Sequence, residues 1–176
     1  GGTDTATVSV TVTALDIVGN ISTSASIDMG GSFISEHTAN DFRDFFRVEL
    51  VAGEHYIFEV KGCSSGSGTM SDTFLELFSN SGSLIFGDNN SAIGNDAKIT
   101  YTATTTGIHY LASSSGTANN FSTGTYTISA STNNRDPVAG SDTAATRPGL
   151  PVTINIGSND SDADNDRLTT TGLTNP

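Results

Sequence analysis

The sequence predicts an all-β protein, an antiparallel β-sandwich of jelly-roll type with extended segments on either side. Three observations support this fold class. Apolar and polar residues alternate in short runs, which is the pattern of strands that bury one face. Turns rich in Gly and Asn separate these runs. Stretches with the 3.6-residue apolar period of a helix are essentially missing, so no helix beyond a single turn is expected.

The predicted strands follow one another at regular spacing through the body of the chain. They span residues 45–50, 55–61, 74–78, 84–86, 99–102 and 108–112, and a closing strand carries Tyr126 and Ile128. Glycines 53, 82 and 107 lie in the turns between them. Because alternate residues of a strand share one face, ten side chains are expected in the core. They are Val48, Leu50, Phe58, Val60, Leu75, Leu77, Ile99, Tyr101, Tyr110 and Ile128.

The two ends of the chain differ from this body. Residues 1–15 alternate Val with Ser or Thr and are interpreted as the last strand of a preceding repeat, whereas residues 16–131 form the predicted sandwich. Residues 132–148 contain prolines and small side chains and have the composition of a linker. Residues 149–176 are interpreted as the start of a following repeat, with a strand at 152–156. We therefore expect the chain to be a piece of a longer protein.

The composition limits the partners of the protein. Of 176 residues, 19 are acidic and 7 are basic, which gives a net charge of −12. This argues against a nucleic-acid partner, which would need clustered Lys and Arg. Apolar runs approaching the roughly 20 residues that cross a bilayer are absent, so membrane insertion is not expected. The pattern favours a soluble exported protein that is monomeric as an isolated chain.

The single cysteine has a consequence for stability. Cys63 lies in a loop with no histidine beside it and cannot form a disulfide within the chain. An exported fold without disulfides needs another staple, and a metal ion is the usual alternative.

Several motifs occur in a characteristic order within the body. The stretch from Asp44 to Tyr56 fits the pattern D-W-F-x-V-x-L-x-A-G-x-x-Y, with Phe45 in place of the Trp. The stretch from Asp72 to Gly82 fits D-x-Y-L-x-L-Y-x-x-x-G, and residues 107–111 and 124–128 are similar to two G-x-Y-x-L strands. Together they resemble bacterial pre-peptidase C-terminal domains over about residues 16–131. This resemblance implies the β-sandwich fold.

The flanks carry a second resemblance. Residues 2–12 (GTDTATVSVTV) and 159–169 (NDSDADNDRLT) look like parts of the cadherin-like or immunoglobulin-like repeats of large RTX-type bacterial adhesins. This implies an extracellular or cell-surface module that binds a peptide or a glycan on a host or neighbouring cell. The alternative is a non-catalytic stability or secretion accessory domain of an exported hydrolase. Glycan sites often use exposed aromatic rings, and Phe33, Phe42 and Phe121 are the candidates in predicted loops.

The stretch FGDNNSAIGND, residues 86–96, is the first candidate metal site. Carboxylate, amide and backbone oxygens are the ligands that Ca²⁺ takes, and a hairpin would bring Asp72 close to this loop. In the family resemblance, Asn89 stands where a second Asp is often found. The candidate ligands are Asp72, Asp88, Asn89, Asn90, Asn95 and Asp96. The alternative is an ordinary turn, because Asp and Asn side chains bond nearby backbone.

The acidic run near the end of the sequence is the second candidate metal site. In a strand, Asp160, Asp162, Asp164 and Asp166 would all project to one side, where a Ca²⁺ ion would relieve their mutual repulsion. The alternative is a disordered acidic tail.

The sequence gives no basis for catalysis, and the protein is predicted not to be an enzyme. His37, His55 and His109 have no nucleophile motif of the G-x-S-x-G type beside them, and H-E-x-x-H does not occur. Asp41 and Asp44 form a carboxylate pair around Phe42-Arg43, but Asp44 at a strand start is expected to cap a turn.

Overall fold

The computed structural model describes residues 17–116, 122–133, 136–163 and 168–170, and these residues contain eight β-strands and no helix. The all-β prediction is confirmed for this part of the chain. The strands are β1 (Ser32–His37), β2 (Arg43–Leu50), β3 (His55–Lys61), β4 (Thr73–Phe78), β5 (Leu84–Asp88), β6 (Ala97–Thr102), β7 (Gly107–Ser115) and β8 (Gly124–Thr132).

The strands form two antiparallel four-stranded sheets, in the orders β1-β8-β3-β6 and β2-β7-β4-β5. Such interleaved double-sheet order is the jelly-roll arrangement. Consecutive strands mostly lie in different sheets, so the turn at Gly53 between β2 and β3 crosses from one sheet to the other. The β4–β5 connection is a true hairpin, with Leu75 opposite Asp88.

The core lies between the two sheets, as the period-two pattern predicts. Nine of the ten predicted core residues are buried, and Tyr101 is the exception, since it is half-buried at the rim of the core on the edge strand β6. Tyr110 is buried in a second cluster with Phe45, Phe78 and Ala112. Arg43 covers this cluster, with its guanidinium 4.9 Å from the Phe45 ring centre and 5.1 Å from that of Phe78.

Strand β1 is absent from the sequence-based prediction. Its outward positions are exposed, and only Ser35 and His37 are buried, so it lacks the apolar alternation that marks a half-buried strand. β1 pairs with β8 along its whole length, from Ser32 opposite Ser129 to His37 opposite Gly124. Pairing with β8 therefore stabilises this strand, although its own sequence lacks the usual pattern.

Residues before β1 also complete the sandwich. Residues 17–27 run beside the edge strand β2, where the Ile27 amide donates to the Arg47 carbonyl at 3.0 Å and the Arg47 amide donates to the Ala25 carbonyl at 2.8 Å. Ile17 and Ile27 are buried in the core. Residues 1–16 lie outside the described part of the chain.

The strand predicted at 152–156 is wrong, because these residues form no strand. Val152 and Ile154 are 47% and 44% exposed, and no described segment pairs with them. Residues 136–163 have one bridge, in which Val138 and Ser161 exchange backbone hydrogen bonds of 2.8 and 3.0 Å.

The described residues include no helix with the length and apolarity needed to cross a membrane.

Candidate functional site

The β4–β5 hairpin brings Asp72 and Asn89 together at one end of the sandwich. Asp72 directly precedes β4 and Asn89 directly follows β5, and the antiparallel register places these strand ends side by side. Gly116 follows β7, which pairs with the other side of β4, and its amide donates to the Asp72 carbonyl at 3.3 Å. Three chain segments thus meet at this point.

Two side-chain oxygens at this junction are buried without a hydrogen-bond partner, Oδ1 of Asp72 and Oδ1 of Asn89. They converge, since a Cβ added at Gly116 would overlap both of them. Burial raises the pKa of the Asp72 carboxyl, because its charged form has lost water without gaining a compensating donor. A cation bound here would supply the missing partner for both oxygens, so the donor atoms of this junction fit a hard metal ion.

Asp88 has a different role from Asp72. Burial alone would raise the pKa of its carboxyl, but hydrogen bonds from Ser91, Lys98 and Asn89 hold that pKa below its ordinary value. The Lys98 amide donates to Oδ2 at 2.8 Å and the Ser91 amide donates to the same oxygen at 3.1 Å. Asp88 therefore shapes the loop, as the turn interpretation of this stretch predicts.

The side chains of the other three predicted ligands in this loop do not share one position. Asp96 is buried, and its Oδ1 accepts from the Gly62 amide at 2.9 Å while its Oδ2 has no hydrogen-bond partner. Asn95 is exposed, and its side-chain amide donates to the Ser71 carbonyl at 3.2 Å. Asn90 is exposed. Of the six predicted ligands at this loop, Asp72 and Asn89 thus each direct one side-chain oxygen to a common point.

The second predicted metal site is only partly described. Asp160 accepts from the Gly140 amide at 2.8 Å, and Asp162 is half-buried. Residues 160–163 do not form a strand, so the alternation of carboxylates on one side does not hold there. Asp164 and Asp166 lie outside the described residues.

A groove of about 400 Å³ lies beside the 88–96 loop. Its wall from the loop includes Ser91, Ile93 and Asp96, and its floor carries Glu59, Lys61 and Lys98 from β3 and β6. Lys61 and Glu59 form an ion pair of 2.7 Å within it. Ile93 is 69% exposed, so the groove combines an apolar contact with charges of both signs.

The phenylalanines predicted to lie in loops as candidate glycan contacts have different positions in the structure. Phe33 lies in β1, not in a loop, with its ring 5.4 Å from that of Phe46. Phe42 is half-buried, and Phe121 lies outside the described residues. Phe86, at 55% exposure on β5, is the most exposed phenylalanine of the described part.

A buried polar cluster lies inside the sandwich and was not predicted. It consists of inward-facing residues of four strands: Ser35, His37, Asp44, Ser113 and Tyr126. The expectation that Asp44 caps a turn is wrong, because it is fully buried within β2 and accepts the hydroxyls of Ser35 and Tyr126. The sequence signal for this cluster is the spacing H-x-x-x-D-x-x-D, which begins at His37 and ends at Asp44. The motif does not show that the His37 side chain faces inward, because strand β1 was not predicted.

Electrostatics within this cluster follow from burial. Burial lowers the pKa of His37, although the nearby Asp41 opposes this effect. Burial and the adjacent Asp44 raise the pKa of Tyr126, so its hydroxyl remains a donor. The other histidines bond locally: His55 Nδ1 lies 2.8 Å from Thr102 Oγ1, and His109 Nδ1 lies 3.1 Å from the Gly107 carbonyl.

The fold is that of a jelly-roll β-sandwich, and the solved structures that are similar to it include the following two. One is the pre-peptidase C-terminal domain of a collagenase from Bacillus anthracis, with 18% identity, a TM-score of 0.47, and coverage of 60% of this chain and 92% of that chain. The other is PliG of Aeromonas hydrophila, a periplasmic inhibitor of g-type lysozyme, with 9% identity, a TM-score of 0.37, and coverage of 60% and 96%. Both TM-scores lie below 0.5, so neither likeness informs the function. No family model and no curated protein matches the chain.

Proposed function

We propose that this sandwich is a calcium-dependent module of a large extracellular bacterial adhesin, and that it binds a peptide or a glycan on a host or neighbouring cell. The observation that carries the proposal is the convergence of two buried, unpartnered oxygens, Asp72 Oδ1 and Asn89 Oδ1. A buried polar atom without a partner is costly and points to a missing ligand.

The donor set favours Ca²⁺. Ca²⁺ takes six to eight oxygen ligands in flexible geometry, and carboxylate, amide, carbonyl and water oxygens all serve. Asp72 supplies a carboxylate and Asn89 an amide oxygen. A site with oxygen ligands alone favours Ca²⁺ over zinc, which prefers nitrogen and sulfur. The net charge of −12 favours cation uptake by the whole molecule.

The calcium site and the groove share one loop. Asn89 begins the loop after β5, and Ile93 and Asp96 of the same loop line the groove. An ion held at Asn89 restrains the start of this loop and thereby the wall of the groove. Ligand binding in the groove therefore depends on calcium.

A melting experiment on the full chain tests the calcium site. Calcium at a hundredfold excess over its Kd should stabilise the fold by about 2.7 kcal/mol. In chelator, Asp72→Asn should melt above the parent, because it removes a carboxylate whose raised pKa shows that the fold disfavours its charge. The same variant should lose the calcium-induced rise.

The acidic run provides the matched control. The double variant Asp160→Asn, Asp162→Asn also removes charge, and it should keep the part of the calcium shift that Asp72→Asn abolishes. If Asp72→Asn retains the full calcium shift of the parent, the junction does not bind calcium and the loop is only a turn.

A second experiment tests ligand binding in the groove. The protein is applied to peptide and glycan arrays with calcium and with chelator, and binding is expected with calcium only. Lys98→Ala should weaken it, whereas Arg47→Ala, which removes the same charge from a separate groove beside β2, should not. Binding unaffected by chelator would contradict calcium dependence. Absence of any binding would favour the accessory-domain alternative.

A further inference from the structure

A second set of ligand-type side chains lies where the chain passes from β1 in one sheet to β2 in the other. His37 is the last residue of β1, Asp44 lies in β2, and Asp41 lies in the turn between them. A ring nitrogen of His37 and one carboxylate oxygen of each aspartate lie within 4.8 Å of one another. Thr38 and Asp41 close the turn with backbone hydrogen bonds of 3.0 and 3.2 Å, which fixes the position of Asp41.

His37 has one ring nitrogen without a partner in this cluster. Its side chain is 2% exposed, and Nδ1 is buried with no hydrogen bond. The other nitrogen, Nε2, lies 3.2 Å from Ser113 Oγ, and the ring stacks on Tyr126 with centres 4.7 Å apart. The ring is therefore held in place beside the Asp41 backbone, and its buried Nδ1 makes no close hydrogen bond, which is costly unless a ligand binds there.

Asp44 is oriented by the same neighbours. The Ser35 hydroxyl donates to its Oδ2 at 3.1 Å, and the Tyr126 hydroxyl donates to the same oxygen. Ser35 comes from β1 and Tyr126 from β8, so two strands of the opposite sheet hold this carboxylate. Hydrogen bonds from neighbouring groups that fix a ligand's orientation are typical of metal sites.

We propose that His37, Asp41 and Asp44 bind a divalent transition-metal ion of the Zn²⁺ class. Imidazole nitrogen suits Zn²⁺ and its neighbours in the transition series, whereas Ca²⁺ takes oxygen ligands. One imidazole and two carboxylates give three protein ligands, which leaves a fourth tetrahedral position for water.

The ion connects the two sheets. His37 comes from the β1 sheet and Asp44 from the β2 sheet, so the metal acts as a staple in a chain whose single cysteine forms no internal disulfide. The site shares no ligand with the calcium junction at Asp72 and Asn89, and the two ions should bind independently.

The test is titration of the chelator-stripped full chain with Zn²⁺ in the presence of excess Ca²⁺, followed by calorimetry. One equivalent should bind. Asp41→Asn should weaken binding at least about tenfold and should fold, because Asp41 is only half-buried. In a nitrogen-15 spectrum of the parent, the Nδ1 signal of His37 should shift on saturation with Zn²⁺.

Two controls exclude binding elsewhere. His55→Gln removes the histidine of β3 that bonds Thr102, and it should bind Zn²⁺ like the parent. Asp72→Asn should also bind Zn²⁺ like the parent. The proposal is overturned if the parent binds no stoichiometric Zn²⁺ in excess Ca²⁺, if Asp41→Asn binds as tightly as the parent, or if the His37 signal does not move.

Discussion

Gly116 determines the space at the proposed calcium site. Any side chain at this position would begin with a Cβ that overlaps the converging oxygens of Asp72 and Asn89. Its backbone is not in the left-handed region, so the requirement for glycine here concerns space and not conformation. A residue without a side chain thus leaves space for the proposed ion.

The first prediction is that Gly116→Ala abolishes the calcium-induced rise in melting temperature, although both ligands remain. The added methyl group forces Asp72 and Asn89 apart, so the ion loses its geometry. The measurement is thermal unfolding with calcium and with chelator. Gly157→Ala is the control, because a Cβ there meets no atom within 4 Å. A calcium shift in Gly116→Ala equal to that of the parent would show that the ion does not occupy this space.

At the scale of elements, Thr73 joins β4 to the opposite sheet beside the proposed site. It is fully buried, and its hydroxyl lies 3.0 Å from the Val60 carbonyl, to which it donates. The same oxygen accepts from the Ala97 amide at 2.9 Å. One side chain therefore connects β4 with β3 and β6 across the core, directly after Asp72.

The second prediction is that Thr73→Val destabilises the protein by about 1–3 kcal/mol, because the buried Ala97 amide and Val60 carbonyl lose their partner. Val keeps the shape and the β-propensity of Thr, so the decrease in stability measures the contribution of these hydrogen bonds. The free energy of unfolding is measured by denaturant titration. Thr100→Val on the exposed side of β6 serves as the control and should change stability by less than about 0.5 kcal/mol. Equal stability of both variants would mean that the Thr73 contacts contribute nothing.

At the scale of the whole molecule, the sandwich and the C-terminal segment differ in how they are held. The sandwich has a continuous core between two four-stranded sheets, and its last backbone contact is the Asn133 amide donating to the His55 carbonyl at 2.8 Å. Residues 136–163 have one bridge and contribute no residue to the buried core.

The third prediction follows from this difference. A chain of residues 16–133 should fold, melt within a few degrees of the full chain, and keep the calcium shift assigned to Asp72. The measurement is the melting temperature with calcium and with chelator. A loss of cooperative unfolding in the shortened chain would show that the segments outside it contribute to the stability of the sandwich.

The fold class and most of the strands could be predicted from local patterns along the chain. Alternation at Val48 and Leu50, or at Tyr56, Phe58 and Val60, places these side chains on one face whatever the partner strands are, because the strand period is a local property. The hairpin that brings Asp72 to the loop after β5 followed from turn residues close in sequence. Asp72 and Asn89 were therefore within reach of prediction.

Two features depend on contacts between distant strands and could not be predicted: which oxygens converge on one point, and which polar side chains lie inside the core. The Asp88 carboxylate accepts hydrogen bonds from backbone amides near its loop, whereas Asn89 Oδ1 makes none. Asn89 Oδ1 instead lies beside Asp72 Oδ1 at Gly116, which follows β7. β1 pairs with β8 along its length, and in this pairing His37 lies on the buried face of the sheet, as Asp44 does on β2. Contacts between strands distant in sequence produce no local pattern along the chain. The grouping of buried His37 and Asp44 with half-buried Asp41 therefore arises where the two sheets meet.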